Sequence, residues 1–388
     1  MTYGRAAIPA LAGGLLLTAL LWWAGASADA LHLQGTTDAL GGRMTADLQQ
    51  WLTPWSYDPP DSVRFGAGVL GDIGEPAGAE DGAHYLSLHA TGMQIRFAGV
   101  LLLFVPGALL LARRLPPVNG RMPALLLAVW AWGMVAGMLA TAVSAPWLIA
   151  SHGRGSYRFL PQLASAVSSG HQITVPAALL AAVVTALVAR VSVEGAGEPP
   201  RRAVPKRAAL LAATAGTAVV ALSLVVLSYQ PVAAAVQRVE VFGGRFSEPG
   251  ELLRTWLLLG GWDFPSGGSA GRWLLYRTAD VLLLAVVWCA LRWLPGLLTR
   301  ATVPATAAAA VCATVIGLLA SQLLQVVIVC VDSGTRWGLD RFSGLLGSGV
   351  PAALTSGLVA GVVAAAVLRA AGDTDHPEQR EVYTSAHE

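Results

Sequence analysis

Eight stretches of the chain are predominantly apolar, at about residues 8–26, 97–113, 123–149, 173–191, 208–235, 279–299, 303–331 and 346–369. A bilayer core about 30 Å thick takes roughly 20 such residues as one helix. Backbone in lipid must satisfy its own hydrogen bonds, so only helices and closed barrels cross it. The runs are continuous rather than alternating, which selects helices over barrel strands. The pattern predicts an all-α polytopic membrane protein with about eight transmembrane helices. Short interfacial helices are expected in the polar stretches on the outer face.

Those polar stretches repeat. Trp51-Leu52, followed by Tyr57-Asp58 and Pro60, recurs at a constant offset as Trp256-Leu257, Trp262-Asp263 and Pro265. Arg96, with Ala98 and the run Val100 to Leu103, recurs as Arg277, Ala279 and Val281 to Leu284. Val175-Pro176-Ala177-Ala178-Leu179 recurs as Val350-Pro351-Ala352-Ala353-Leu354. The chain therefore reads as two four-span repeats, 1–195 with an outer loop over 27–95, and 208–371 with an outer loop over 236–278. A proline-rich linker over 196–207 joins them, and a polar tail over 372–388 follows. Four is even, so the halves keep one orientation and are expected to relate by an axis along the membrane normal. Arg5, the apolar run and Ala26-Ser27-Ala28 also have the cast of a cleavable signal peptide. The partner of this run in the second half argues that it is a retained span.

Composition agrees with lipid as the solvent. The chain has 388 residues, of which 55% are hydrophobic and only 12% charged, about half the charged share of a soluble domain. Its mean hydropathy is +0.59. A net charge of +2 is too small for a nucleic-acid binder. Arginine sets the orientation. The connections near 113–122 and 190–207 carry Arg113, Arg114, Arg121, Arg190, Arg201, Arg202, Lys206 and Arg207, so this side is expected in the cytoplasm with both termini. Cys289, Cys312 and Cys330 fall singly in apolar runs, a pattern that indicates neither a zinc site nor a disulfide framework.

The candidate residues lie in the outer loops and at the span ends. Trp51 and Trp256 sit beside polar groups, and tryptophan favours the headgroup region where its ring is half buried and its N–H wetted. Asp58 and Asp263 follow an aromatic residue in each half and suit turns or caps. An arginine at the membrane edge needs a counter-charge or a headgroup phosphate, so pairs Asp58–Arg96 and Asp263–Arg277 are expected to fix each loop on its bundle. The short outer loops 152–171 and 332–349, with Arg154, Arg158, Arg336, Asp340 and Arg341, suit interfacial helices or anionic headgroups. Charge inside the spans is scarce: Asp280 falls at an outer end, and Arg292 can snorkel at an inner one. Gln322 and Gln325 are three apart on one face of the seventh span, placed for hydrogen bonds between helices or for a solvated cavity. Gly133 with Gly137, and Gly357 with Gly361, permit close helix approach. Glu80, Asp81, His84 and His89 cluster in the first outer loop without a metal-ligand spacing.

Catalytic signatures are missing from the sequence: it has no phosphate-binding loop, no zinc-protease pair and no nucleophile elbow. The expectation is a non-enzyme without catalytic, cofactor-binding or metal sites. Its size, span content and residue bias resemble the streptophobe family, very hydrophobic membrane proteins of actinobacteria with no assigned activity. That resemblance implies a plasma-membrane location. Two functions follow from the sequence. One is a permease-like transport component for lipid-like or amphipathic cargo, partnered by the bilayer and a separate ATPase. The other is a scaffold or envelope-assembly protein that binds another membrane protein through its outer loops.

Overall fold

A computed structural model describes residues 3–32, 38, 41–60, 63, 79–115, 121–152, 159–193, 205–239, 248–263, 270–297, 302–333 and 345–373. Among them every element is helical. Twelve α-helices are named here: α1 (Tyr3–Ala26), α2 (Gly42–Leu52), α3 (Ala79–Arg114), α4 (Met122–Ser151), α5 (Phe159–Ser168), α6 (His171–Val193), α7 (Lys206–Ala221), α8 (Gln230–Gln237), α9 (Gly250–Leu257), α10 (Ala270–Leu297), α11 (Val303–Ser333) and α12 (Val350–Asp373). Eight of these, α1, α3, α4, α6, α7, α10, α11 and α12, are long and apolar enough to cross a membrane. Large aliphatic side chains such as Leu102, Leu180, Val281 and Val331 stand fully outward from them. In water such a surface would drive association; in lipid it costs nothing.

The spans pack in two rings of four. In the first, α1 contacts α3, α3 contacts α4, α4 contacts α6, and α6 returns to α1. In the second, α7, α10, α11 and α12 close in the same order. The rings meet chiefly along α4 and α11, with α3 on α11 and α4 on α12 beside that seam. The shorter α2, α5, α8 and α9 lie at one end of the spans, the loop face. The opposite end is the connector face, where the Arg121 guanidinium donates to the Gly296 carbonyl (3.2 Å).

Small residues set the helix spacing. Hydrocarbon gives helices no hydrophobic reason to associate, so close van der Waals contact carries more of the stability. Gly133 and Gly137 of α4 lie against Ala178 and Thr174 of α6, while Gly357 and Gly361 of α12 lie against Val311 and Ala307 of α11. Both glycine pairs thus close the seam between the third and fourth span of their ring.

Three spans depart from the lengths hydropathy suggests. Helix α3 starts at Ala79, well inside the expected 27–95 loop, and α10 starts at Ala270 rather than near 279. Apolar runs mark the lipid-covered part of a helix, but the ladder of backbone bonds continues past the lipid wherever propensity allows. The fifth run, expected unbroken to 235, instead passes through a π-turn over Leu222–Leu227 and breaks at an extended Tyr229. Pro231 lies in the first turn of the next helix, where its missing N–H costs nothing, and the break exposes backbone groups that the loop after α9 uses.

Candidate functional site

The loop-face end of the first ring is built around the turn Thr53–Trp55, a 3₁₀ turn that follows α2 directly. Trp55 is 1% exposed. Its Nε1 donates to the Gly170 carbonyl (2.9 Å), and its ring lies 6.0 Å from that of Phe97 on α3. Two glycines make the fit. A Cβ on Gly25, at the end of α1, would fall 1.9 Å from the Trp55 carbonyl oxygen, and Gly170 holds a left-handed φ of +70° between α5 and α6. Trp55 is therefore a plug inside the protein, unlike a headgroup-facing anchor. Tyr57, stacked on Phe97 at 5.3 Å, stays at the surface. Burial of its ring edge pushes its hydroxyl above the ordinary phenol range.

Beneath this turn lies Arg96 of α3. Its distance from Arg113 along the helix is about 26 Å at 1.5 Å per residue, which puts it at the loop-face edge of a hydrocarbon layer anchored at α3's basic end. It is 3% exposed. Its Nε donates to Ser144 Oγ on α4 (2.9 Å) and its Nη1 to the Pro54 carbonyl, while its guanidinium lies 5.6 Å from the Trp55 ring. These contacts hold the turn to the bundle through neutral acceptors, where the sequence expectation for Arg96 is the Asp58 carboxylate.

A cleft of about 450 Å³ opens above the arginine. Arg96, Met93 and His89 reach it from one face of α3, at the spacing that stacks side chains along a helix. Asp58 and Ser56 border it from the turn, and His152 and Leu148 from α4. His89 is 7% exposed, and neither ring nitrogen has a hydrogen-bond partner. Asp58, Arg96 and His152 are all near enough to act on it electrostatically. The Asp58 backbone N–H donates to Ser56 Oγ (3.0 Å). The cleft thus has the Arg96 guanidinium at its base, Met93 and Leu148 as apolar walls, and two imidazoles and one carboxylate further out.

The second ring treats the corresponding residues differently. Trp256 is half-buried, and its carbonyl accepts from Thr355 Oγ1 of α12. Arg277 ion-pairs with Asp280 of its own helix (2.5 Å) and lies 6.0 Å from the Trp273 ring, while the Asp263 carbonyl accepts from Trp273 Nε1 (2.9 Å). Backbone bonds lace the loop to the broken span. Trp262 N–H donates to the Ser228 carbonyl (3.0 Å), and Gln230 N–H to the Trp262 carbonyl (2.8 Å).

Gln322 uses its whole amide on the turn before α12, donating to the Ser348 carbonyl (2.7 Å) and accepting from Gly347 N–H (2.9 Å). Gln325 lies half-buried one turn further along. Trp51 is half-buried on α2. Arg154, Arg158, Arg336, Asp340 and Arg341 lie outside the described residues. No three of His, Cys, Asp and Glu converge for a metal among the described residues. In the sequence Trp55 reads as an interfacial aromatic beside Trp51 and Tyr57, with nothing to show that it turns inward, and Ser144 and His152 are not singled out. The composition Thr-Pro-Trp between a helix and Ser56 was the available signal for the plug, since proline at the start of a turn fixes its entry. Comparison with family models, with curated proteins and with solved structures finds no match.

Proposed function

We propose that this integral membrane protein is a permease-like transport component for lipid-like or amphipathic cargo, without catalysis of its own, in the plasma membrane with both termini in the cytoplasm. The observation that carries the reading is the loop-face cleft, where a buried guanidinium at the base, apolar walls of Met93 and Leu148 and polar groups further out border one space. An amphipathic molecule meets both environments there at once. The two rings, closing in one order and matched by Trp51/Trp256 and Arg96/Arg277, support a duplicated unit of like orientation. The arginine-rich connectors support a cytoplasmic connector face, which makes the cleft extracytoplasmic.

A second reading, a scaffold for envelope assembly, is favoured by the join between the rings. The described cavity there, bounded by Gly137, Thr141, Thr174 and Val350, measures about 10 Å³, room for one water at most. Affinity purification of the full chain in mild detergent separates the two. A stoichiometric ATPase subunit is the result expected for transport. An envelope synthase or secretion protein in its place overturns transport in favour of the scaffold.

A further inference from the structure

We infer that the loop-face cleft of the first ring is a binding site for a phosphate-bearing ligand, with the oxyanion held by Arg96 and a neighbouring polar group of the ligand by His89. The inference deepens the reading of this cleft as the cargo site and rests on it. It starts from an imbalance of charge. The two arginines occupy matched places, but Arg277 has a carboxylate three residues on, at Asp280. The residue three on from Arg96 is Gly99, whose added Cβ would meet the Ala140 methyl at 3.3 Å. Close packing of α3 on α4 therefore leaves little room for a carboxylate at that position. Arg96 is as buried as a core residue, yet its two protein partners are a hydroxyl and a carbonyl. Both are neutral, and a guanidinium out of water needs an anion to offset its lost hydration.

The free edge of that guanidinium borders the cleft. Guanidinium matches an oxyanion with parallel donors. His89 supplies the second sign of a ligand: a side chain more than nine-tenths buried, lining the same cleft, with both ring nitrogens unpartnered. Buried polar atoms find partners in the great majority of cases; both His89 nitrogens are closed off from solvent, so the ring turns about its side-chain bonds to bring one of them onto a ligand in the cleft. His152 also borders the cleft, with its Nδ1 already on the Leu148 carbonyl (2.7 Å), as does one carboxylate, Asp58, which has contacts of its own. Arg96 meets one edge of a tetrahedral phosphate and leaves its other oxygens and its ester group for the rest of the cleft, whereas a carboxylate spends both oxygens on the guanidinium. A cleft of about 450 Å³ also holds the group to which the phosphate is esterified. A phospholipid headgroup entering from the bilayer and a soluble phosphoester entering from water share this chemistry.

The test uses the purified full chain in detergent. Native mass spectrometry reads retention of dioleoylphosphatidylglycerol against dioleoylglycerol, which lacks the phosphate. Calorimetry reads binding of glycerol 3-phosphate and inorganic phosphate. Binding in either arm is expected, and the arm that binds identifies the source. Arg96→Gln should weaken it at least tenfold and His89→Ala severalfold, while Arg277→Gln in the other ring stays within twofold. His89 makes no hydrogen bond in the protein, so His89→Ala keeps the site testable if Arg96→Gln fails to fold. Binding in neither arm, equal retention of the phosphate-free lipid, or wild-type binding by His89→Ala or a folded Arg96→Gln overturns the inference. Phosphate binding without an ATPase partner would instead sink the transport reading alone.

Discussion

The loop-face ends of the two rings start from matched sequence and finish as different objects. Four residues after Trp51 the first ring has Trp55; four residues after Trp256 the second has Gly260. The bulky residue drives its turn inward, against Phe97 and over Arg96. The glycine has no side chain to bury. Leu258 and Leu259 are buried before it, and its N–H donates to Ser228 Oγ (3.2 Å), which draws the loop onto the break after α7. One loop is pinned by a side-chain plug and the other by backbone bonds. The same framework therefore leaves a cleft over a buried arginine on one side and a self-paired arginine on the other. A helical ring supplies position; the few residues at its mouth decide whether charge is neutralised internally or kept for a ligand.

That contrast breaks most severely at Gly25. Gly25→Val places a branched side chain on the Trp55 carbonyl and should destabilise the chain by more than about 4 kcal/mol. Gly261→Ala, with open space around its Cβ position, should stay within about 0.5 kcal/mol. Thermal unfolding in mild detergent compares them, and equal stability of the two variants would refute the plug. Trp55→Ala removes a fully enclosed indole and its bond to Gly170, at a cost of about 3–5 kcal/mol. It should also widen the cleft enough for a thiol reagent to reach a cysteine placed at Ser144.

Smaller changes sharpen the comparison. Gln322→Leu keeps the volume but abandons Gly347 N–H and the Ser348 carbonyl, and should cost about 1–3 kcal/mol; Gln325→Leu should cost less. Asp280→Asn removes the counter-charge of Arg277. Both side chains are roughly a quarter exposed or less, so about 0.5–1 kcal/mol is expected. A double-mutant cycle of Arg277 and Asp280 should show stronger coupling than one of Arg96 and Asp58, which make no ion pair with each other. The smallest effect concerns Tyr57. Its folded-state pKa is raised above that of the unfolded phenol, so its contribution to stability is complete below about pH 10 and is lost as pH rises through the folded value. Phenolate absorbance that appears later in the folded than in the denatured chain checks this.

Part of this site was legible in advance. Trp51, Asp58 and Arg96 stood out because they recur, and recurrence of rare residue types is visible without coordinates. Arg96 was also recognisable from chemistry alone, as a charge at a membrane edge. Its partners were not. Ser144 is one small residue in an apolar run and reaches Arg96 only because α3 and α4 pack side by side. His89 read as one of several polar loop residues, because hydropathy stops marking a helix where lipid stops covering it. The extension of α3 to Ala79 carries His89 onto the same face as Arg96, and that extension depends on helix propensity and neighbours rather than on an apolar signal.

By itself the sequence determined that the chain is a bundle of about eight lipid-length helices, with eight basic residues in the connectors near 113–122 and 190–207. Hydropathy over twenty residues and the need to satisfy backbone groups in lipid are local constraints, and they leave few alternatives. Only the tertiary structure decided which helices are neighbours, that Trp55 turns inward, and that Arg96 is left without a carboxylate. Those outcomes depend on contacts between residues tens of positions apart: Gly25 against Trp55, Gly99 against Ala140, Arg96 on Ser144. Whether a given pair meets is set by the packing of whole helices, and no window along the chain contains that information.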